Sequence, residues 1–158
     1  LVRRWQRRAL CYAKRQLRQD ELAIEATQNA FVNLYTASAN YTPKNLFPAY
    51  LFKIVLNECR HQQRRQKKAF LIGQQLREGG PHAKLPDEQI FKNEKRRAVK
   101  DAVASLGEKH KQVVMLRFSA DLSYEEISEV LNIPIGTVKS RLLKAFKRLR
   151  RILREQQG

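Results

Sequence analysis

Cationic side chains at regular steps near the end of the chain are its most informative candidates for chemistry. Arg141, Lys144, Arg148 and Arg151 follow one another at three- and four-residue steps, so on a helix they would share one face. Guanidinium and ammonium groups in such a row bind phosphates. The whole chain agrees with that chemistry, because 32 Lys and Arg against 15 Asp and Glu give it a formal net charge of +17. This excess predicts a polyanionic partner, through the counterions that neutralised phosphates release.

Other chemically capable side chains form no recognisable catalytic or metal site. His61, His82 and His110 are scattered, and Cys11 and Cys59 are too far apart for zinc-ligand spacing or a C-x-x-C pair. No glycine-rich loop follows a strand, so no phosphate cradle is indicated. We therefore predict a protein that is not an enzyme and has no metal, no cofactor and no small-molecule substrate.

The sequence also predicts the cellular compartment of the protein. No segment approaches the ~20 apolar residues of a transmembrane helix, and no signal peptide is recognisable. Two cysteines without a partner pattern are typical of reduced thiols. Together these features predict a cytoplasmic protein with no transmembrane segment.

The cationic row lies within a pattern that is typical of a helix-turn-helix. The run SYEE at 123–126 is a capping box that begins one short helix. Asn132 suits a left-handed turn, and Pro134 prevents the first helix from continuing into the second. The second helix, over 135–154, has a buried stripe at four- and three-residue steps, made of Val138, Leu142, Phe146, Leu149 and Leu153.

In a helix-turn-helix the first residues of the second helix read base edges while neighbouring cations hold phosphates. The predicted contacts with duplex DNA are Thr137, Lys139, Ser140, Arg141, Leu143, Lys144 and Arg148. The alternative is a solvated basic face on a helix that binds another protein.

The rest of the chain has helical periodicity and no convincing strand pattern. Breaks at Gly and Pro separate predicted helices over 2–17, 21–37, 48–68, 87–105, 109–118, 123–131 and 135–154. We predict an all-α fold of two small domains, a three-helix N-terminal domain at 1–68 and a four-helix C-terminal helix-turn-helix domain at 87–158, joined by a flexible linker at 69–86. The chain begins inside a helical pattern, which leaves open whether the native N-terminus lies upstream.

These features together resemble the extracytoplasmic-function (ECF) group of sigma-70-type bacterial RNA polymerase sigma factors. The run LSYEEISEVLNIPIGTVKSRLLKAFKRL at 122–149 is similar to that family's promoter-binding fourth region. Earlier in the chain, EATQNAFVNLY at 25–35 and FPAYLFKIVLNECRHQQRR at 47–65 resemble the two helices that bind polymerase and the minus-ten element. The resemblance implies a promoter-specificity subunit whose first domain reads the minus-ten element as single strand, and whose second reads the minus-thirty-five element as duplex.

The resemblance also assigns residues and partners. It places Glu25, Gln28, Asn29, Phe31 and Val32 at the polymerase surface, and Tyr41, Lys53, Asn57, Arg60, Arg64 and Arg65 at the minus-ten element, with Phe47 as a second candidate for the wall of a base pocket. Glu25 stands where the family commonly has Asp, Asn29 where it commonly has an acidic residue, and Tyr50 where it commonly has Trp. The implied partners are core RNA polymerase, promoter DNA and, as is common in the family, an anti-sigma factor.

Two other functions compete with this interpretation. A stand-alone helix-turn-helix regulator would use the same C-terminal motif without polymerase, commonly as a dimer on repeated half-sites. A nucleic-acid enzyme ranks last because the sequence offers no site for it.

Overall fold

The computed structural model describes residues 2–40, 42, 46–76 and 94–158, and within them the chain forms seven α-helices, one 3-10 turn and no strand. The helices are α1 (Val2–Leu17), α2 (Asp20–Ala37), α3 (Phe47–Leu76), α4 (Glu94–Ala104), α5 (Glu108–Phe118), α6 (Tyr124–Leu131) and α7 (Ile135–Gln157), and the 3-10 turn is Ser38–Asn40. The predicted all-α fold is confirmed.

Helices α1, α2 and α3 pack on one another and form the first half of the molecule. Small side chains let α2 approach its neighbours closely, since Ala23, Ala26 and Ala30 are all fully buried. Between α1 and α3, the rings of Tyr12 and Phe52 meet edge to face, with centroids 5.7 Å apart. This packing holds the outer faces of α2 and α3 in fixed positions.

Helix α3 is longer than the sequence predicted. We expected a linker from residue 69, but the helix continues to Leu76. Only Gly73 interrupts a run of helix-forming residues there, and a single glycine costs about 1 kcal/mol without ending a helix. The rest of the predicted linker, and the predicted start of α4 at 87–93, lie outside the described residues.

The second half contains α4 to α7, with α7 packed against each of the other three. Its buried stripe differs from the prediction at Phe146, and the predicted Leu149 and Leu153 are half-buried. Val138 and Leu142 are buried as expected, but Ala145 is buried in the next turn and Phe146 is 43% exposed. Phe146 instead meets Phe118 of α5 edge to face at 5.7 Å. The difference is one residue along the helix, about 100° around its axis.

The two halves are in direct contact. Helix α1 touches α5, and α3 packs along α6. Buried side chains from both halves form one continuous hydrophobic cluster.

Candidate nucleic-acid interface

A reciprocal pair of hydrogen bonds fixes the beginning of α6. The Ser123 hydroxyl accepts from the backbone N–H of Glu126 at 3.1 Å, and the Glu126 carboxylate accepts from the backbone N–H of Ser123 at 2.8 Å. Two of the N–H groups that a helix start leaves without partners are thereby satisfied. The capping box predicted from the sequence is present.

The turn between α6 and α7 is held from both sides. Asn132 has φ 52°, the left-handed conformation predicted for this position. The backbone N–H of Ile133 donates to the carbonyl of Ser128 at 3.1 Å, and the Ser128 hydroxyl donates back to the carbonyl of Ile133 at 2.5 Å. Because these bonds and the buried side chains of α6 restrain the turn, the first turns of α7 have a defined direction.

The first turns of α7 present most of the predicted contacts to solvent. Lys139, Ser140 and Lys144 are exposed, and Leu143 is 56% exposed. An outward leucine among cations suits an apolar contact with a thymine methyl group in a major groove. These four side chains are therefore available for base edges.

Three further predicted residues occupy different positions on α7. Arg148 is exposed, whereas Thr137 and Arg141 are half-buried at the flanks of the exposed face. The Thr137 carbonyl accepts from the Ser140 hydroxyl at 3.1 Å, within the helix. The Lys139 ammonium lies 6.0 Å from the centre of the Tyr124 ring, so Tyr124 helps to orient it.

A shallow basic groove of about 290 Å³ runs along the middle of α7. Its walls are Lys144, Lys147, Arg148 and Arg151. The sequence-based list of contacts missed Lys147, although its position three residues after Lys144 and four before Arg151 is the signal that would have found it. Four cations on one open surface suit a run of phosphates.

On α3, the predicted minus-ten residues share one outward face. Lys53, Asn57 and Arg64 are exposed and Arg60 is half-buried, at steps of four, three and four residues. Asn57 has no hydrogen-bond partner among the described residues, so its amide can donate to and accept from a base. Tyr41 lies outside the described residues.

One aromatic residue and one cationic residue near this face have partners within the fold. Phe47 is half-buried and meets Trp5 of α1 edge to face at 5.7 Å, which favours a structural role for it. Arg65 turns toward α2, where its guanidinium donates to the Glu25 carboxylate at 3.0 Å. A hydrogen bond from the buried Gln62 side chain, and then the bond from Arg65, hold the pKa of Glu25 below its usual value.

The outer face of α2 is apolar at its centre. Val32 is 63% exposed, Gln28 is exposed, and Asn29 and Phe31 are half-buried. Two exposed apolar residues that the prediction missed extend the same face, Ile24 at 43% and Tyr35 at 83%. Ile24, Gln28, Phe31 and Tyr35 follow at steps of four, three and four, which is the pattern that would have revealed them.

Other kinds of site are not seen in the described ranges. There, no helix is long and apolar enough to cross a bilayer, and no group of three or more His, Cys, Asp or Glu could hold a metal ion.

Comparison with known proteins gives two family matches and a consistent set of relatives. Residues 1–69 match the family model "Sigma-70 region 2", and residues 102–151 match "Sigma-70, region 4". The chain is 28% identical over 155 residues to the ECF RNA polymerase sigma factor SigW of Bacillus subtilis, covering 92% of this chain and 82% of that protein. It is 26% identical over 154 residues to the ECF RNA polymerase sigma-E factor of Haemophilus influenzae, covering 92% of this chain and 81% of that protein.

Two solved structures have a similar fold. The sigma factor RpoE of Bartonella quintana, in complex with the anti-sigma factor NepR, superposes with a TM-score of 0.69 at 20% identity, covering 92% of this chain and 89% of that one. CnrH, in complex with the cytosolic domain of CnrY, gives 0.65 at 21% identity, covering 93% and 81%.

Proposed function

The chain belongs to the ECF group of sigma-70-type RNA polymerase sigma factors, and we propose that three of its helical surfaces divide the work of that role. As a sigma factor it directs core RNA polymerase to specific promoters and takes part in transcription initiation. The observation that carries the division is that the chain presents an apolar face on α2, a polar and basic face on α3 and a basic face on α7.

The polymerase surface is the outer face of α2. An apolar strip around Val32 and Tyr35, with Gln28 beside it, is solvent-exposed and suited to burial against another protein. At the edge of this strip, hydrogen bonds from Gln62 and Arg65 lower the pKa of Glu25 and so favour its charged form. The Glu25 carboxylate thus adds a negative charge beside the apolar strip. We assign polymerase binding to Glu25, Gln28, Asn29, Phe31 and Val32, together with Ile24 and Tyr35.

The minus-ten surface is the outer face of α3. Asn57 offers an uncommitted amide to a base edge, and the cations before and after it along the helix are placed for the phosphates of a separated strand. Lys53, Arg60 and Arg64 carry that electrostatic part. Arg65 contributes indirectly, through its hydrogen bond to Glu25.

The minus-thirty-five surface is the exposed face of α7. Lys139, Ser140, Leu143 and Lys144 in its first turns read base edges, and the groove that follows holds the duplex backbone. The half formed by α1 to α3 and the half formed by α4 to α7 would thereby read two separate promoter elements. The protein acts by binding and has no catalytic activity of its own.

The proposed partners also indicate where in the cell the protein acts and what could inhibit it. Core polymerase and promoter DNA place the protein in the bacterial cytoplasm. One structural relative, RpoE of Bartonella quintana, is in complex with an anti-sigma factor, which supports a protein partner of this kind for the present chain.

The proposal is tested by breaking each surface separately in the full-length chain. Val32→Glu should reduce binding to core polymerase. Asn57→Ala should leave that binding intact but reduce initiation from a natural promoter, and Lys144→Ala should weaken binding to the minus-thirty-five duplex. Lys109→Ala, an exposed cation on α5 outside the three surfaces, is the matched control.

The activity that each variant loses decides whether the role assigned to its surface is correct. If Val32→Glu bound core polymerase as tightly as the control, α2 would not be the polymerase surface. If Asn57→Ala initiated normally, Asn57 would not read the minus-ten element.

A further inference from the structure

The outward face of α1 carries a row of cations that none of the three proposed surfaces uses. Arg4, Arg7, Lys14 and Arg18 follow at steps of three, seven and four residues, with Cys11 between the second and the third. Lys14 is half-buried, and the other residues on this face are exposed. Arg18 directly follows the helix, and its backbone N–H donates to the carbonyl of Lys14 at 2.9 Å. We call Arg4, Arg7, Lys14 and Arg18 the α1 row.

The fold itself makes little use of the α1 row. Of its members, only Lys14 has an acidic partner in the described part of the chain, since its Nζ lies 3.5 Å from the Asp20 carboxylate. The three arginines of the row have no carboxylate within 4.0 Å there. By contrast, Arg8 and Arg15, on a neighbouring side of α1, donate hydrogen bonds to residues 119–121. The arginines of the row are thus available to an anion from outside the chain.

The charges of the α1 row also work against the helix that carries them. The sequence of α1, VRRWQRRALCYAKRQL, contains six cations and no acidic residue. Like charges three or four residues apart repel each other on a helix, and Arg4 with Arg7 and Lys14 with Arg18 are such pairs. A helix that needed only solubility would alternate cations with acids on this face. The row is therefore better explained by a ligand than by the stability of α1.

The backbone of Arg18 gives a second, independent indication. Its φ is 56°, in the left-handed region that glycine most often occupies at the end of a helix. An arginine at such a position is strained where a glycine would not be, and strain of this kind concentrates at functional sites. The Arg18 side chain thus has a use that a glycine could not supply.

The composition of this face favours nucleic acid over another protein as the ligand. Protein interfaces have an apolar or aromatic centre with few charges, but between the cations of the α1 row stands only Cys11. Interfaces with DNA are far more positively charged, and the arginine fork matches the geometry of a phosphate. The row spans about 21 Å at 1.5 Å per residue. That length corresponds to about six phosphates of one strand.

We propose that the α1 row is a further DNA-binding surface, which holds backbone phosphates of promoter DNA beside the minus-ten element. Helix α1 packs on α3, so the row belongs to the same group of helices as the proposed minus-ten surface. The inference rests on the proposed minus-ten function of α3. The row adds affinity for DNA and leaves the choice of sequence to other residues.

The first test removes the three arginines and measures binding of promoter DNA by the full-length chain with core polymerase. The variant is Arg4→Ala/Arg7→Ala/Arg18→Gly, with glycine at the left-handed position. Loss of three phosphate contacts should flatten the slope of log affinity against log salt concentration by about 2 on single-stranded DNA and about 3 on duplex. Between about 50 and about 200 mM salt, the affinity of the unmodified protein should fall about twentyfold to about fortyfold more than that of the variant.

Two matched variants separate phosphate binding from loss of charge or structure. Lys95→Ala/Lys100→Ala/Lys109→Ala removes three exposed cations from α4 and α5 and should keep the slope of the unmodified protein. Arg4→Lys/Arg7→Lys/Arg18→Lys keeps the charge of the α1 row and should restore most of the slope. Equal slopes for the arginine-free variant and the lysine control, or a changed base preference in the arginine-free variant, would overturn the proposal.

The second test uses Cys11, which is exposed in the middle of the row, as the attachment point for a photoactivated crosslinker. Burial raises the pKa of the Cys59 thiol to about 12, so Cys59 stays unreactive. In the complex with core polymerase and promoter, the probe should crosslink to DNA next to the minus-ten element. The control carries the same probe at Lys109→Cys in a Cys11→Ser background. Crosslinks to polymerase subunits alone, or DNA crosslinks no stronger than those of the control, would overturn the proposal.

The outcomes distinguish the α1 row from the function on which it rests. If the arginine-free variant bound core polymerase less tightly in the absence of DNA, the row would be a protein contact and the proposal would fail. If Asn57→Ala initiated normally while the Cys11 probe still crosslinked to DNA, the assignment of α3 would fail and the row would stand as a DNA-binding surface.

Discussion

Replacement of Arg148 and Arg151 by alanine tests whether the α7 groove holds DNA phosphates. Both side chains are exposed walls of the groove, and neither belongs to an ion pair within the part of the chain that the structure describes. Their removal should therefore leave α7 folded and change only its electrostatic contact with DNA. Base preference should persist, because the residues that we propose to read base edges, in the first turns of the helix, are untouched.

The expected magnitude follows from counterion release. Each phosphate contact contributes about 0.9 to the slope of log affinity against log salt concentration. Two lost contacts should flatten that slope by about 1.8. Between about 50 and about 200 mM salt, the affinity of the unmodified protein should consequently fall about twelvefold more than that of the double variant.

Fluorescence anisotropy with a duplex enriched from a random library by the protein itself provides the measurement. The control is Lys95→Ala/Lys109→Ala, which removes two exposed cations from α4 and α5. Identical salt slopes for the two double variants would refute phosphate binding in the groove. A changed base preference in Arg148→Ala/Arg151→Ala would move these arginines among the readers.

Three further changes have defined outcomes. Lys144→Ala should reduce discrimination between the enriched duplex and its single-base variants by about 1–3 kcal/mol, measured by competition binding; unchanged discrimination would remove Lys144 from the readers. The lowered pKa of Glu25 means that its charged form stabilises the fold above the pKa of the unfolded chain, and that this stability is lost as pH falls through the folded pKa. Urea unfolding of Glu25→Gln from about pH 7 to about pH 3 should thus show a shallower acid loss than the unmodified protein, and parallel curves would contradict the contribution. Tyr12→Phe should raise the free energy of unfolding by about 1 kcal/mol, because the buried hydroxyl has no partner among the described residues; Tyr35→Phe, at an exposed position, is the control, and destabilisation by Tyr12→Phe would show that the hydroxyl is bonded.

Local signals in the sequence were sufficient for the helix-turn-helix. The capping box at Ser123 and Glu126 depends on residues three apart, and the left-handed Asn132 depends on its own backbone preference. The start and end of α1 were likewise predicted at Val2 and Leu17. Such features need no knowledge of which helices later pack together.

Features that depend on packing were not accessible in the same way. The stripe on α7 was predicted with Phe146 inward, but Ala145 is the buried residue there and Phe146 is 43% exposed. Hydrophobicity alone favours the larger residue, and only the packed structure shows which of the two neighbours is buried. The end of α3 was missed for a related reason, since loss of periodicity marks the end of burial and not the end of a helix.

The pairing of cations was the least predictable property, because the sequence contains 32 of them and many could serve DNA. Arg65 was expected at phosphates, yet it bonds to Glu25, forty residues earlier. Arg8 joins residues 112 and 113 positions away. Charge composition predicts an anionic partner but cannot say which cations the fold itself uses.

The contact between Arg65 and Glu25 changes how the first half of the molecule is understood. It joins the proposed polymerase surface on α2 to the proposed minus-ten surface on α3 by a 3.0 Å ion pair. The pair is accessible, so its direct contribution to stability is small. Its consequence is geometric, because it joins a side chain of α3 to one of α2. Arg65, which the family resemblance assigned to DNA, is therefore bonded to a residue that we assign to the polymerase surface.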